Sequence, residues 1–467
     1  MSEAAPPFAR PDAALPGGMS AVAPPGAEAS GVRQPAQGAA ARNGAGEFAP
    51  QQSFQAPAGG DRGGAKLAIG ELFAGLGCVA RGFERTGRFE TALLTDIDPA
   101  ARDTYRENFP SGARYLREDI RRLRMRDVLD VVEGRAIDGL LGCPPCQGFS
   151  DAGRRDPEDE RNELLGHFFA LVDVLRPKFF LMENVPRVFD FSLLCLELAD
   201  VRANYQVWKG VLNAALFGLP QTRQRAIVIG YRRDLGVRPS APVPTHFGSR
   251  QVFDYTKQRL RRPTRFTSPS LMGLYPGLGN PDGFSEEQVR LLLGPGGGLG
   301  DLVVVGEGIG DLPPAGDSDE PVGYAGPPSA YARGLRGSEV RNQRRWRHGA
   351  ELLERLRHVP EGGGLLDAEG RGRSRRYFSQ AYARLHRQGL ARTVTTNFHN
   401  PGSGRFLHYQ QLRTITIREA ARLQGIEDDF AFIGRQYDQE RLVGNAFPML
   451  LAEALARHIA AELAHAL

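Results

Sequence analysis

Five short apolar runs set the frame of this 467-residue chain. LAIGELFAG begins at Leu67, TALLTDIDP at Thr91, AIDGLLGCPP at Ala136, KFFLMENV at Lys178 and RAIVIGY at Arg225. Between them lie stretches with helical patterning, CVARGFERTG, AARDTYRENF and ELLGHFFALVDVLRP. Strands alternating with helices predict an α/β fold with a mostly parallel, doubly wound sheet. Sheets of this kind bind their ligands beyond the carboxyl ends of the strands, and polar punctuation collects there in this chain.

Outside that frame the character changes. Residues 1–65 are dominated by Ala, Pro, Gly, Ser and Gln without a strand or helix period, and are expected to be disordered, an extension that the fold tolerates. Residues 66–232 carry the alternation. Over 233–412 it fades into Gly, Pro and Arg, and RNQRRWRHGAELLERLRH and RGRSRRYFSQAYARLHRQG concentrate positive charge, which predicts a second, smaller, loop-rich domain. Residues 413–467 return to helix formers, ending in the amphipathic MLLAEALARHIAAELAHAL. Net charge is +5. No apolar run reaches the roughly 18 residues of a membrane span, and no apolar signal core opens the chain, so neither a membrane partner nor secretion is expected. Four cysteines, Cys78, Cys143, Cys146 and Cys195, are too few for a disulfide framework and fit a reducing cytosol.

The chemistry-bearing residues sit at the ends of the apolar runs. In Glu71-Leu72-Phe73-Ala74-Gly75-Leu76-Gly77, the glycines permit a tight turn and a close approach of backbone to ligand, although an ordinary strand-to-helix turn would read alike. Asp96 and Asp98, about 20 residues on, end the second run, where a carboxylate can accept from ribose hydroxyls. The third glycine of a dinucleotide fingerprint and the Gly-Lys-Ser/Thr of a phosphate loop are both missing. A nucleoside without a pyrophosphate therefore fits better than NAD or ATP. Asp119, before Ile120, stands where a third strand should end and could hold an adenine amino group; a helix cap or a surface acid is the plain alternative.

Gly142-Cys143-Pro144-Pro145-Cys146-Gln147-Gly148-Phe149-Ser150 is the most informative stretch. Its prolines force an extended approach, and Gly148 and Gly153 allow a mobile loop beyond. A cysteine presented at the carboxyl edge of a sheet is placed as a nucleophile, provided a helix N-terminus or nearby cations lower its pKa. The Cys143–Cys146 spacing also admits a redox or zinc reading. No second Cys-x-x-Cys or His pair at metal spacing follows, and no metal is expected. Glu183 closes the fourth run, where burial would raise its pKa unless a partner is found. In Gln221-Thr222-Arg223-Gln224-Arg225 an extended backbone would put Arg223 and Arg225 on one side. One of them could then pair with Glu183 or hold a substrate carbonyl; a structural ion pair and surface arginines are the plain alternatives.

Together these segments resemble the C5-cytosine DNA methyltransferase family of bacterial type, in order and spacing, over about residues 67–465. ELFAGLG resembles its cofactor loop, TDIDPAA its ribose-binding strand end, Asp119-Ile120 its adenine contact and GCPPCQGFS its nucleophile motif. Glu183-Asn184-Val185, VLNAALFGLPQTRQR, LRTITIREAARLQG and Arg441-Leu442-Val443-Gly444-Asn445-Ala446-Phe447-Pro448 resemble the motifs that follow. The resemblance implies a DNA (cytosine-5-)-methyltransferase with a Rossmann-like sheet, dependent on S-adenosylmethionine. It implies Cys146 as the thiolate attacking C6, Glu183 contacting N3 and the exocyclic amine, and Arg223 and Arg225 positioning the base and the glutamate. Gln147 and Ser150 would touch substrate. Phe73, Gly75, Gly77, Asp96, Ile97, Asp119, Ile120 and Asn445 would line the cofactor pocket. Residues 66–232 become the catalytic and cofactor-binding domain, 233–412 the target-recognition domain, and 413–467 late motifs returning to the catalytic domain. The implied partner is double-stranded DNA, met by a monomer in a bacterial cytoplasm, with a cognate restriction endonuclease left open. A tRNA cytosine-5 methyltransferase is the alternative, disfavoured by the long recognition region and by the lack of any cysteine beyond residue 200. Cys78, Ile97 and Phe447-Pro448-Met449 depart from the family pattern in ways that bear on affinity rather than chemistry.

Overall fold

The computed structural model describes residues 66–464, apart from 111, 124, 133, 146–162, 191, 248–249, 263–299 and 366–379. The expected disorder of residues 1–65 lies outside the described residues. Strands β1 (Leu67–Leu72), β2 (Phe89–Asp96), β3 (Arg114–Arg117), β4 (Gly139–Gly142), β5 (Phe179–Asn184), β6 (Tyr205–Asn213), β7 (Gln221–Thr222) and β8 (Gln224–Arg232) supply the frame. All but β7 join one sheet in the order β3-β2-β1-β4-β5-β8-β6. The neighbours from β3 to β5 pair in parallel, while β8 runs antiparallel to both β5 and β6. The five apolar runs are thus β1, β2, β4, β5 and β8. β6 was not announced by such a run, because Gln206 and Lys209 interrupt YQVWKGVLN on this edge strand.

Helices α1 (Cys78–Glu84), α2 (Pro99–Asn108), α3 (Met125–Val131), α4 (Glu163–Leu175) and α5 (Ser192–Val201) connect these strands. Then come the short α6 (Val305–Ile309), α7 (Ala330–Arg333) and α8 (Ala350–Leu356), and finally α9 (Ile417–Leu423), α10 (Gln436–Asn445) and α11 (Met449–Ala464). The sheet is covered on both sides, which is why its central strands read as nearly continuous apolar runs. On one face Val79 and Phe83 of α1 and Leu455 and Ile459 of α11 pack with Ile69, Leu141 and Leu181. On the other, Phe168 and Phe169 of α4 and Leu198 of α5 pack with Leu140, Phe180 and Met182. Burying each such side chain is worth about 1.5–3 kcal/mol. α11 reaches α1 closely enough that a Cβ at Gly82 would lie 2.4 Å from that of Ala452.

Between β8 and α9 the described elements are short. They include β9 (Val252–Asp254) paired antiparallel with β10 (Arg259–Arg261), and β11 (Ala391–Arg392) paired in parallel with β7. A further core gathers Val305, Ile309, Val394 and Phe398 with Ile417, Ala421 and Val443, and it includes Leu76 and Cys78 from the start of α1. Thr416 opens α9 with a capping box to Glu419. Among the described residues no helix is long and apolar enough to cross a membrane.

Candidate active site

Register decides which residues meet. β1 ends level with β2 and β4, since Leu72 pairs with Thr95 and with Gly142. Gly142 in turn pairs with Met182, one step before Glu183. Because β8 is antiparallel, its first residues lie beside the last of β5, with Ala226 opposite Asn184. The carboxyl ends of four strands and the start of a fifth therefore share one edge.

At β1 the chain turns through positive φ at Phe73 (56°), Gly75 (52°) and Gly77 (73°) before α1 begins. A Cβ at Gly77 would sit 3.1 Å from Leu94 and Tyr105, so the turn closes onto the core, whereas at Gly75 it would meet nothing within 4 Å. The open side of Gly75 leaves backbone accessible to a ligand. Asp96 fixes this turn. Its Oδ2 accepts from Gly75 N at 2.8 Å and its Oδ1 from Asp98 N at 2.9 Å. Burial raises the Asp96 carboxyl above its usual range against these bonds. With a further backbone bond from Ile97, the carboxylate still keeps a lone pair for a hydroxyl donor. Next to it Ile97 is 65% exposed, an apolar surface beside a carboxylate. Asp98 caps α2 through Ala100 N and pairs with Arg441 of α10, the helix that ends in the exposed Asn445. Asp119 is held below the usual carboxylate range by its ion pair with Arg121, 2.6 Å at the closest, and Ile120 is buried.

Glu71, to which the sequence lent no role, is the surprise of this half. Its side chain is buried and accepts from Ala80 N at the start of α1 at 2.8 Å. Burial, opposed by backbone bonds from Ala80 and Val79, pushes its carboxyl up to about 8.

At the other half, Arg225 Nε lies 2.6 Å from Glu183 Oε1, both side chains being nearly enclosed. Asn184 donates to Pro144 O at 3.1 Å and so ties β5 to the prolines after β4. Burial raises the Cys143 thiol well above its usual range, and the Glu183 carboxylate beside it adds to the effect. A thiol held protonated is a poor nucleophile. Cys146, Gln147 and Ser150 lie outside the described residues.

Arg223 and Arg225 have different partners. Arg223 falls between β7 and β8 and is 2% exposed, and its carbonyl still accepts from Ala214 N at 2.9 Å beside β6. It donates to Val394 O at 2.8 Å, Gly444 O at 3.2 Å and Ala446 O at 3.1 Å. Gln221 and Gln424, both buried, complete a knot. Gln221 accepts from Val394 N and donates to Leu423 O, both at 2.9 Å, and Gln424 donates to Val443 O at 2.9 Å. Arg223 thus grips the backbone on either side of Asn445, while Arg225 grips Glu183.

A family model, C-5 cytosine-specific DNA methylase, matches residues 67–270 and 335–461. The chain belongs to the C-5 cytosine-specific DNA methylase family. The Type II methyltransferase M1.HphI of Haemophilus parahaemolyticus is 31% identical over 396 residues, covering 83% of this methylase and 85% of that protein. M.DdeI of Desulfomicrobium norvegicum is 30% identical over 422 residues, covering 84% and 88%. Among solved structures, a DNA modification methyltransferase encoded within an E. coli prophage superposes with a TM-score of 0.62. At 24% identity, over 85% of this methylase and 100% of that chain, it shows the Rossmann-like fold. The methylase is a DNA (cytosine-5)-methyltransferase.

Proposed function

We propose that this methylase transfers a methyl group from S-adenosylmethionine to C5 of a cytosine swung out of double-stranded DNA, with Cys146 as nucleophile. The Glu183–Arg225 pair, set beside the strand end that leads to Cys146, is the observation that carries the reading. C5 of cytosine is a poor nucleophile. Addition of the Cys146 thiolate to C6 makes C5 enamine-like, and later loss of the C5 proton expels the thiolate. Glu183 sits to hydrogen-bond N3 and the exocyclic amine, and Arg225 holds it in place. These ring atoms cannot be reached within a stacked duplex, so the base must leave the stack.

The cofactor brings an electrophilic methyl group on a sulfonium. The residues present fit it: the open backbone at Gly75, the free lone pair of Asp96 for a ribose hydroxyl, and the exposed Ile97 for a flat apolar ring. Phe73, Gly77, Asp119, Ile120 and Asn445 complete the proposed lining, and Gln147 and Ser150 the proposed substrate contacts. Arg223 acts in this scheme by positioning the segment around Asn445. Residues 66–232 with 413–467 would form the catalytic unit and 233–412 the target-recognition region. As its Type II relatives are bacterial, we place the protein in a bacterial cytoplasm, with a restriction endonuclease of matching specificity as partner.

Labelled methyl from S-adenosylmethionine should enter duplex DNA with the wild type and not with Cys146→Ala, while the variant still binds S-adenosylhomocysteine. Transfer retained by Cys146→Ala would remove the covalent mechanism.

A further inference from the structure

The β9–β10 hairpin belongs to neither of the basic stretches that stand out in the sequence, yet its outer half is exposed and carries several cations. One side of it is anchored. Phe253 stacks on His386 with ring centroids 3.8 Å apart, Phe253 N donates to Gln388 O at 2.7 Å, and His386 N donates to the Tyr255 hydroxyl at 3.2 Å. The Arg405 guanidinium lies over the Tyr255 ring at 4.1 Å. The rest, residues 256–262, is exposed throughout and reads TKQRLRR. Asp254 is the one acid in the hairpin. It accepts from Thr256 N and Lys257 N in the turn and pairs with Arg261 at 3.1 Å.

Lys257 and Arg259 carry no ion pair among the described residues. Some exposed arginines of the same region are paired, while Arg333, Arg347 and Arg355 are exposed and, like these two, without an ion pair among the described residues. Arg345, Arg357 and Arg387 face Asp317, Glu354 and Glu361 at 2.6, 2.9 and 3.1 Å. Arg392 is likewise exposed and without an ion pair among the described residues, and it is near enough to Tyr255 to act electrostatically on its phenol.

The backbone links this surface to the site. Phe253 bridges Gly389, Ala391 pairs with Gln221 and Arg392 with Thr222, three residues before Arg225. Three extended residues span about 10 Å. Along the axis of duplex DNA that distance covers roughly three base pairs, at about 3.4 Å of rise each. We propose that Lys257, Arg259 and Arg392 form a track that holds the phosphates flanking the target cytosine. The inference rests on duplex DNA being the substrate. Phosphate contacts fix position without carrying sequence information, so the track sets affinity and not the recognised motif.

The test compares wild type, Lys257→Ala/Arg259→Ala/Arg392→Ala and the charge-keeping Lys257→Arg/Arg259→Lys/Arg392→Lys. Duplex binding is followed by fluorescence anisotropy across salt, with S-adenosylhomocysteine binding as the measure of an intact fold. Each lost contact should lower the slope of log affinity against log salt by about 0.9, so by ~3 in the alanine variant. KM for DNA should rise by about tenfold or more at moderate salt, with kcat at saturating DNA and the methylated motif unchanged. The charge-keeping variant should behave as wild type. An unchanged slope in a folded alanine variant overturns the track, and so does a loss of kcat at saturating DNA or a changed motif. A wild type that neither binds nor methylates duplex DNA instead overturns the substrate on which the track rests.

Discussion

Arg225 Nε and Glu183 Oε1 stand 2.6 Å apart on strands that run in opposite directions, at the edge where the parallel part of the sheet ends. The pair exists because β8 reverses. A parallel strand in that place would bring its last residues, not its first, to the carboxyl end of β5. Replacing Arg225 by Ala should lower kcat by about 10²–10³, the usual cost of one positioned charge donor in an active site. S-adenosylhomocysteine affinity should change less than about threefold, and Arg225→Lys should recover part of the rate. Steady-state kinetics with calorimetry on the same samples checks the split.

Arg223 should behave differently. Its loss leaves the carbonyls of Val394, Gly444 and Ala446 without this donor, at about 1–3 kcal/mol for each group left unsatisfied. Arg223→Ala should therefore lower stability in urea by several kcal/mol and weaken S-adenosylhomocysteine binding, since Asn445 lies between two of the gripped carbonyls. If stability and cofactor affinity were untouched while turnover vanished, Arg223 would be a base contact after all.

Glu71 predicts a pH dependence. Its carboxyl is at about 8 in the fold against 4.5 when exposed. Below 4.5 both states hold the proton. Between 4.5 and 8 the unfolded chain gives it up and the folded one keeps it, so stability falls as pH rises through that window. Glu71→Gln keeps an acceptor for Ala80 N and has no charge to bury. It should be more stable than wild type at pH 8 by up to a few kcal/mol, at about 1.4 kcal/mol for each tenfold difference in proton affinity between the two states, with the gain gone by pH 4.5. Urea denaturation at several pH values reads this directly.

The sequence made the strand ends legible, because a covered sheet demands apolar runs and leaves its polar residues at the edge. Gly75, Gly77, Asp96 and Glu183 could be picked out for that reason. The partners of these residues could not. Arg441 meets Asp98 from 343 residues away and Gln424 meets Gln221 from 203, and no local period reports such pairings. Arg223 alternates with Arg225 along the chain, but its partners, the carbonyls of Val394, Gly444 and Ala446, lie far off in sequence, and no two-residue period reports them. Cys143 read as half of a Cys-x-x-Cys, and its burial beside Glu183, which raises its thiol, is not legible in that spacing.

Arg441 extends this to the cofactor side. It joins α10 to the cap of α2 through Asp98, with the arginine 41% exposed. A pair so open to solvent adds at most about 1 kcal/mol to stability. Its effect should appear in binding: Arg441→Ala should weaken S-adenosylhomocysteine about three- to tenfold by loosening the wall that carries Asn445. A melting temperature shifted by only a few degrees, with that loss of affinity, is the expected pattern in paired calorimetric runs.

The covalent role of Cys146 on DNA is best tested by expressing wild type and Cys146→Ala in a host that lacks cytosine methylation and sequencing the host DNA after bisulfite conversion. Protected cytosines should be confined to one short motif with wild type, and none should appear with Cys146→Ala at equal soluble expression. A soluble, cofactor-binding wild type that protects no cytosine, or protection that survives the loss of Cys146, would contradict that role.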